Sequence, residues 1–198
     1  MADAAQQIRM TEDEYLAFER ASDERHEYID GEIFAMCGGS GPHSEICFAI
    51  GHVLGNVLLS RRCKIYTSNL RIYIALARRY VYPDVSVVCA RPEFKGDKKD
   101  ILLNPRVVVE VLSPSTEDYD RGDKFTHYKT IPSLAHYVLA SQEKPVVEVF
   151  TRQQDGSWTG VKYEAGQKIA LPAIECEIEV DQIYANVFDA EVAYVAVD

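Results

Sequence analysis

The chain has 198 residues, 47% hydrophobic and 26% charged, with a net charge of −10. That suits one domain with a sizeable core and excludes a fibrous or disordered chain. It also argues against a protein that coats nucleic acid.

The apolar runs are strand-length, well short of the roughly 20 residues of a spanning helix. Residues 1–10 lack an apolar leader core and read as a disordered tail, so the expectation is a cytoplasmic protein without a membrane segment. The five cysteines, Cys37, Cys47, Cys63, Cys89 and Cys176, show no C-x-x-C spacing. A zinc ribbon or disulfide framework is therefore not expected, and they read as thiols in a reducing compartment. Charge is uneven. Arg61 to Lys129 holds 14 basic and 9 acidic residues, a net +5, against −15 elsewhere. A basic middle can present one positive surface, unless folding scatters it.

Thr11-Glu12-Asp13-Glu14 reads as a capping box that starts a short helix carrying Tyr15, Leu16 and Phe18. Tyr28 to Phe34 places Asp30-Gly31 between apolar residues, a strong hairpin signal. Gly38 to Gly41 is a break with Pro42 placed to open a helix, and no Gly-Lys-Ser/Thr follows to make it a phosphate loop. Ile46, Ile50, Val53, Leu54, Val57 and Leu58 then recur at helical spacing, ending near Arg61-Arg62.

Strands are expected over Ile65 to Leu76 and Val81 to Cys89, with a charged loop from Arg91 to Pro105. Arg106 to Leu112 is almost wholly apolar and reads as a central strand covered on both faces. Ser113 to Thr116 breaks it, and Glu117 to Thr130 reads as a helix. Ala135 to Ser141, Val146 to Arg152 and the hairpin segment Trp158 to Tyr163 read as strands. Ile174 to Val187 reads as a strand and a terminal helix beginning near Asp181. The order predicts an α/β fold with a mixed sheet and helices packed on it.

Glu110 is the residue that most needs explaining. A carboxylate inside Val-Val-Val-Glu-Val-Leu is costly to bury unless compensated. A hard divalent cation compensates it, and so does a buried Arg or Lys. Asp84 follows Pro83 at the start of another apolar strand. If the two strands are neighbours, both carboxylates can meet one cation, although Pro-Asp is also a common strand-entry turn. Position i+2 from Glu110, where a nuclease lysine would share its strand face, is Leu112. The substitute is Lys124, in line with Asp120 and Tyr128 at four-residue spacing on the following helix; the alternative is an exposed Asp-Lys pair. Glu27 reads as an ordinary surface acid. His43 reads as a polar residue near a helix start that could approach the site, and Glu148 as the solvent face of an outer strand. Lys95, Lys98 and Lys99 form a basic loop, a phosphate contact or a solvated segment.

Met10 to Leu16, Glu27 to Ile33, Tyr82-Pro83-Asp84-Val85-Ser86-Val87-Val88 and Val108-Val109-Glu110-Val111-Leu112-Ser113-Pro114-Ser115-Thr116, with Asp120, Lys124 and Tyr128, resemble the PD-(D/E)xK nuclease superfamily. More closely they resemble its Uma-type restriction endonuclease family, from about Met10 to Phe188. The resemblance implies a restriction-endonuclease-like core with an extra N-terminal hairpin and C-terminal strands. It implies Mg²⁺ or Mn²⁺ on Asp84, Glu110 and the Val111 carbonyl, Lys124 in place of the superfamily lysine, and Glu27, from the N-terminal helix region, nearby. The expected activity is metal-dependent cleavage of DNA by one nuclease domain spanning residues 1–198. A homodimer is expected because two sites related by a twofold axis cut both strands of a duplex. The competing readings are an inactive DNA-binding or regulatory module on the same fold and a hydrolase of a small phosphorylated substrate.

Overall fold

The computed structural model describes residues 9–36 and 38–188. Most of the expected tail, and Cys37, lie outside them.

Helix α1 (Glu12–Ala21) starts on the expected capping box, with Thr11 and Glu14 bonding each other's backbone N–H. The hairpin β1 (His26–Ile29) and β2 (Glu32–Ala35) turns on Asp30 and Gly31, at φ 44° and 101°. Two successive positive φ values fit the twist of the flanking strands, and Gly31 accepts its value without strain. Helix α2 (Gly41–Leu58) is capped by Ser40, whose hydroxyl accepts from the His43 N–H.

The expected strand from Ile65 to Leu76 is two, β3 (Lys64–Thr67) and β4 (Arg71–Ile74), and they join different sheets. Ser68 and Asn69 turn the chain between them. The expected strand from Val81 to Cys89 likewise splits into β5 (Arg79–Val81) and β6 (Val85–Val88), because Pro83 offers no N–H to a ladder. The charged loop that follows carries the short strand β7 (Ile101–Leu102). Strand β8 (Val107–Leu112) is buried along its whole length, as a central strand should be.

The helix after it is shorter than expected and not uniform. It runs as α3 (Glu117–Tyr119), a π-helical turn Asp120–Lys124 and α4 (Phe125–Tyr128). Then come β9 (His136–Ser141), β10 (Val146–Arg152), β11 (Trp158–Glu164), β12 (Lys168–Leu171), β13 (Cys176–Glu179) and α5 (Val180–Tyr184). Strand β12 was not expected from the sequence.

The strands form a six-stranded sheet ordered β11-β10-β9-β8-β6-β3, a five-stranded sheet ordered β2-β1-β5-β4-β7, and the pair β12-β13. The six-stranded sheet is mixed, since β8 runs parallel to β9 and antiparallel to β6. Val85, Val87, Val107, Val109 and Val111 pack one of its faces against Ile46, Ile50 and Leu54 of α2. Val88, Val108 and Leu112 pack the other against Phe125, Tyr128, Ile72 and Leu102. Each such fully buried side chain contributes about 1.5–3 kcal/mol. Period-2 alternation thus splits β8 between two cores and turns Glu110 toward the face covered by α4. This is the expected restriction-endonuclease-like α/β architecture.

Cys63 and Cys89 form a disulfide, which corrects the reading of all five cysteines as thiols. They flank the paired residues Lys64 and Val88, so strand pairing brings together cysteines that are 26 positions apart. Cys47 and Cys176 are free, the first half-buried and the second buried. Among the described residues no helix is long and apolar enough to cross a membrane.

Candidate active site

Strands β6 and β8 are neighbours. Their register pairs Val85 with Val109, so one step further sets Asp84 opposite Glu110. The condition on which the two acids could meet is therefore fulfilled. Asp84 is half-buried, and its Oδ2 accepts the Val111 N–H at 2.7 Å. It thereby caps the β8 edge just where β6 ends.

Glu110 is 3% exposed. Its Oε1 accepts from the Tyr128 hydroxyl at 3.0 Å and lies 3.0 Å from Lys124 Nζ. Lys124 Nζ is also 3.3 Å from Asp120 Oδ1 and 3.7 Å from Glu27 Oε1. The expected alternative of an exposed Asp-Lys pair is not what is found, since Asp120 is 3% exposed and Lys124 8%. The π-helical turn runs from Asp120 to Lys124 and leads into α4, with Asp120 on Lys124 and both Lys124 and Tyr128 on Glu110. Such turns recur at functional positions. The Asp120 carbonyl accepts from the Tyr137 hydroxyl at 2.9 Å, which pins the turn to β9.

Glu27 lies near the site, as the resemblance implies, but not where either reading set it. It lies on β1 rather than in the helix region, and it is 8% exposed rather than a surface acid. Its Oε1 accepts the Tyr82 N–H at 3.2 Å, two residues before Asp84. Leu112, in the place of the usual lysine, is a core residue.

The electrostatics follow from one ammonium among several acids. Burial is the largest influence on Glu110 and pushes its carboxyl well above the ordinary range; Lys124 opposes this, and Asp120 and Asp84 add to it. Burial pulls Lys124 down, but Glu110, Glu27, Tyr128 and Asp120 outweigh it, so the ammonium is held well above its ordinary value. Asp120 Oδ1, though near Lys124, makes no hydrogen bond. A buried site with surplus carboxylate oxygen and an orphaned acceptor has the donor chemistry of a hard divalent cation.

His43 was read as a helix-terminal polar residue. Its Nε2 lies 3.4 Å from Asp84 Oδ2, and its Nδ1 lies 3.5 Å from Cys47 Sγ. The bond to Asp84 is the main cause of its raised pKa. Sequence reading missed this pair, although the four-residue spacing of His43 and Cys47 puts them on one helix face. Glu148, expected on a solvent face, is half-buried on β10, one strand in from the edge, in a bidentate pair with Arg121 at 2.8 and 3.0 Å. Lys95 is held by Glu12 and over the Tyr73 ring, while Lys98 and Lys99 are exposed.

A groove of about 590 Å³ runs beside edge strand β3, lined by Lys64, Tyr66, Arg91, Pro92, Phe94 and Lys99. Its cations make no ion pair among the described residues. It opens at the end of the β3-β6 ladder away from Asp84, since Lys64 pairs with Val88 and Thr67 with Val85.

The chain is similar to two proteins in sequence and to one solved structure in fold. An uncharacterized protein of Synechocystis sp. is 39% identical over 176 residues, 89% of this chain and 92% of that one. A second from the same organism is 35% identical over 149 residues, 75% and 84% of the two chains. The crystal structure of "a putative nuclease belonging to DUF820" from Anabaena variabilis superposes with a TM-score of 0.74 at 21% identity, covering 90% of this chain and 99% of that one. The model of the Uma2 family, described as "Putative restriction endonuclease", matches residues 12–183, and the chain belongs to that family.

Proposed function

We propose that the chain is a metal-dependent endodeoxyribonuclease, a single nuclease domain in which Asp84 and Glu110 hold Mg²⁺ or Mn²⁺ with the Val111 carbonyl. The observation that carries the reading is the convergence of Glu110, Asp120 and Glu27 on one buried lysine, with Tyr128 bonded to Glu110 and Asp84 opposite Glu110 across the β6–β8 register. A structural ion pair needs one acid; the surplus here matches a dication. Such an ion polarises a phosphodiester and lowers the pKa of a bound water.

The chain's own residues would then divide the work. Tyr128 fixes the Glu110 carboxylate from one side. The Val111 N–H fixes Asp84. Lys124, kept charged by its neighbours, neutralises charge that develops at the phosphate or orients the attacking water. Glu27 and Asp120 hold that ammonium in place as positioning residues. The substrate would be DNA, with the Lys64, Arg91 and Lys99 groove carrying phosphates and Tyr66 and Phe94 offering ring faces. A cytoplasmic homodimer completes the proposal.

The second reading is an inactive DNA-binding or regulatory module. It is favoured by the Asp84 cap on Val111, which gives that carboxylate a purely structural task. The deciding experiment is cleavage of plasmid and single-stranded DNA with Mg²⁺ or Mn²⁺, beside Asp84→Asn and Glu110→Gln. Metal-dependent cutting that falls by roughly two orders of magnitude in both variants supports the nuclease. Folded wild type that binds DNA and does not cut it supports the module.

A further inference from the structure

We propose that His43, Cys47 and Asp84 form a second cation site, one for a borderline-soft transition-metal ion of the Zn²⁺ class. The three residues come from two elements whose positions are fixed independently. Ser40 caps α2 by accepting the His43 N–H, which sets the phase of the first turn, and Cys47 follows His43 by four residues. Asp84 comes from the start of β6, held by the Val111 N–H.

One ligand atom from each side chain lies within 4.8 Å of the other two. His43 Nε2 and Asp84 Oδ2 are 3.4 Å apart. Zinc bonds to nitrogen and oxygen of about 2.0 Å, opened to the tetrahedral angle, put two such donors about 3.3 Å apart. Cys47 Sγ lies 3.5 Å from the other ring nitrogen, Nδ1, so a small turn of the imidazole brings one nitrogen to both partners, and all three residues are half-buried. Three protein ligands leave one position of the tetrahedron for water.

The donor set selects the metal. Mg²⁺ takes oxygen ligands and dehydrates reluctantly, so a thiol and an imidazole are poor partners for it. Nitrogen and sulfur favour Zn²⁺ or Co²⁺. The cluster shares Asp84 with the proposed magnesium pair and leaves out Glu110. Zinc binding therefore stands whether or not the chain cleaves DNA. If it does cleave, zinc on the cluster draws Asp84 away from magnesium.

The test is a titration of the full chain, with the Cys63–Cys89 disulfide intact, with Co²⁺, followed by absorption, and then displacement by Zn²⁺. Wild type is expected to develop a near-ultraviolet sulfur-to-cobalt band that zinc abolishes. Cys47→Ser should lose the band, His43→Gln should bind cobalt at least about tenfold more weakly, and Glu110→Gln should keep the band. Absence of the band in saturated wild type, its survival in Cys47→Ser, or its loss in Glu110→Gln would each overturn the proposal.

Discussion

Lys124 Nζ sits 3.0 Å from Glu110 Oε1, and neither residue is more than 8% exposed. The pair is not balanced, because the same ammonium also faces Asp120 and Glu27. Removing one carboxylate from such a cluster relieves repulsion. Without metal, Glu110→Gln is expected to stabilise the fold at pH 8 by about 1–2 kcal/mol and to reduce the gain in Tm from added Mg²⁺ or Mn²⁺. Thermal unfolding in chelator and in metal checks both halves; destabilisation in chelator would show that the pair is balanced after all.

The same residue sets a pH dependence. Its folded pKa lies above the ordinary 4.5, so its contribution is fully present below that value and is lost as pH rises through the folded pKa. In chelator, the urea midpoint of wild type should therefore fall relative to Glu110→Gln between pH 5 and pH 8. Parallel curves would contradict the assignment.

His136 works in the opposite direction. Its ring is fully buried, with Nε2 accepting the Ala173 N–H at 3.1 Å and Nδ1 3.0 Å from Thr151 Oγ1. That arrangement needs the neutral ring. Burial, helped by Arg106, pulls the pKa from 6.5 to about 4. Stability from this group is present above pH 6.5 and is lost as pH falls toward 4, at most about 3 kcal/mol. Denaturant unfolding at pH 7 and 4.5, beside His136→Gln, checks it through a smaller acid loss in the variant.

Reduction of Cys63–Cys89 should cost about 3 kcal/mol, since the bridge closes a loop of 26 residues. Urea unfolding with and without reductant measures this directly. Equal midpoints would mean that the strand pairing of β3 and β6 already constrains the loop.

The groove beside β3 predicts a salt effect. Replacing Lys64, Arg91 and Lys99 together by Ala should weaken DNA binding and flatten the slope of log K against log salt by about 2 to 3, while cation binding at the acidic cluster is unchanged. An unaltered slope would remove the groove from the binding surface.

The acidic site was largely legible because its residues violate local rules. Glu110 stood out as a charge in an apolar strand, and Lys124 and Tyr128 followed from helical spacing. Glu27 came only from resemblance, because nothing local distinguishes a buried acid in Arg25-His26-Glu27-Tyr28. The grouping of His43 with Cys47 was missed, although His43 could approach the site, because their partner Asp84 lies about forty residues away. The division of β3 from β4 was also hidden. Tyr and Ile alternate on both sides of Ser68-Asn69, so the apolar pattern alone does not say that the chain changes sheets there. The disulfide depended on a pairing register that spacing in sequence does not reveal.

The π-helical turn at Asp120–Lys124 works as a phase-setter. One residue in an α-helix corresponds to a rotation of about 100°. If the turn tightened to ordinary helix, Phe125 and Tyr128 would swing away from the core they fill, or Asp120 and α3 would swing away from β9. The extra residue lets the two halves of the segment answer to different neighbours at once. Tightening the turn without losing a residue would thus break the alignment of lysine, tyrosine and aspartate while leaving every one of them in place in the sequence.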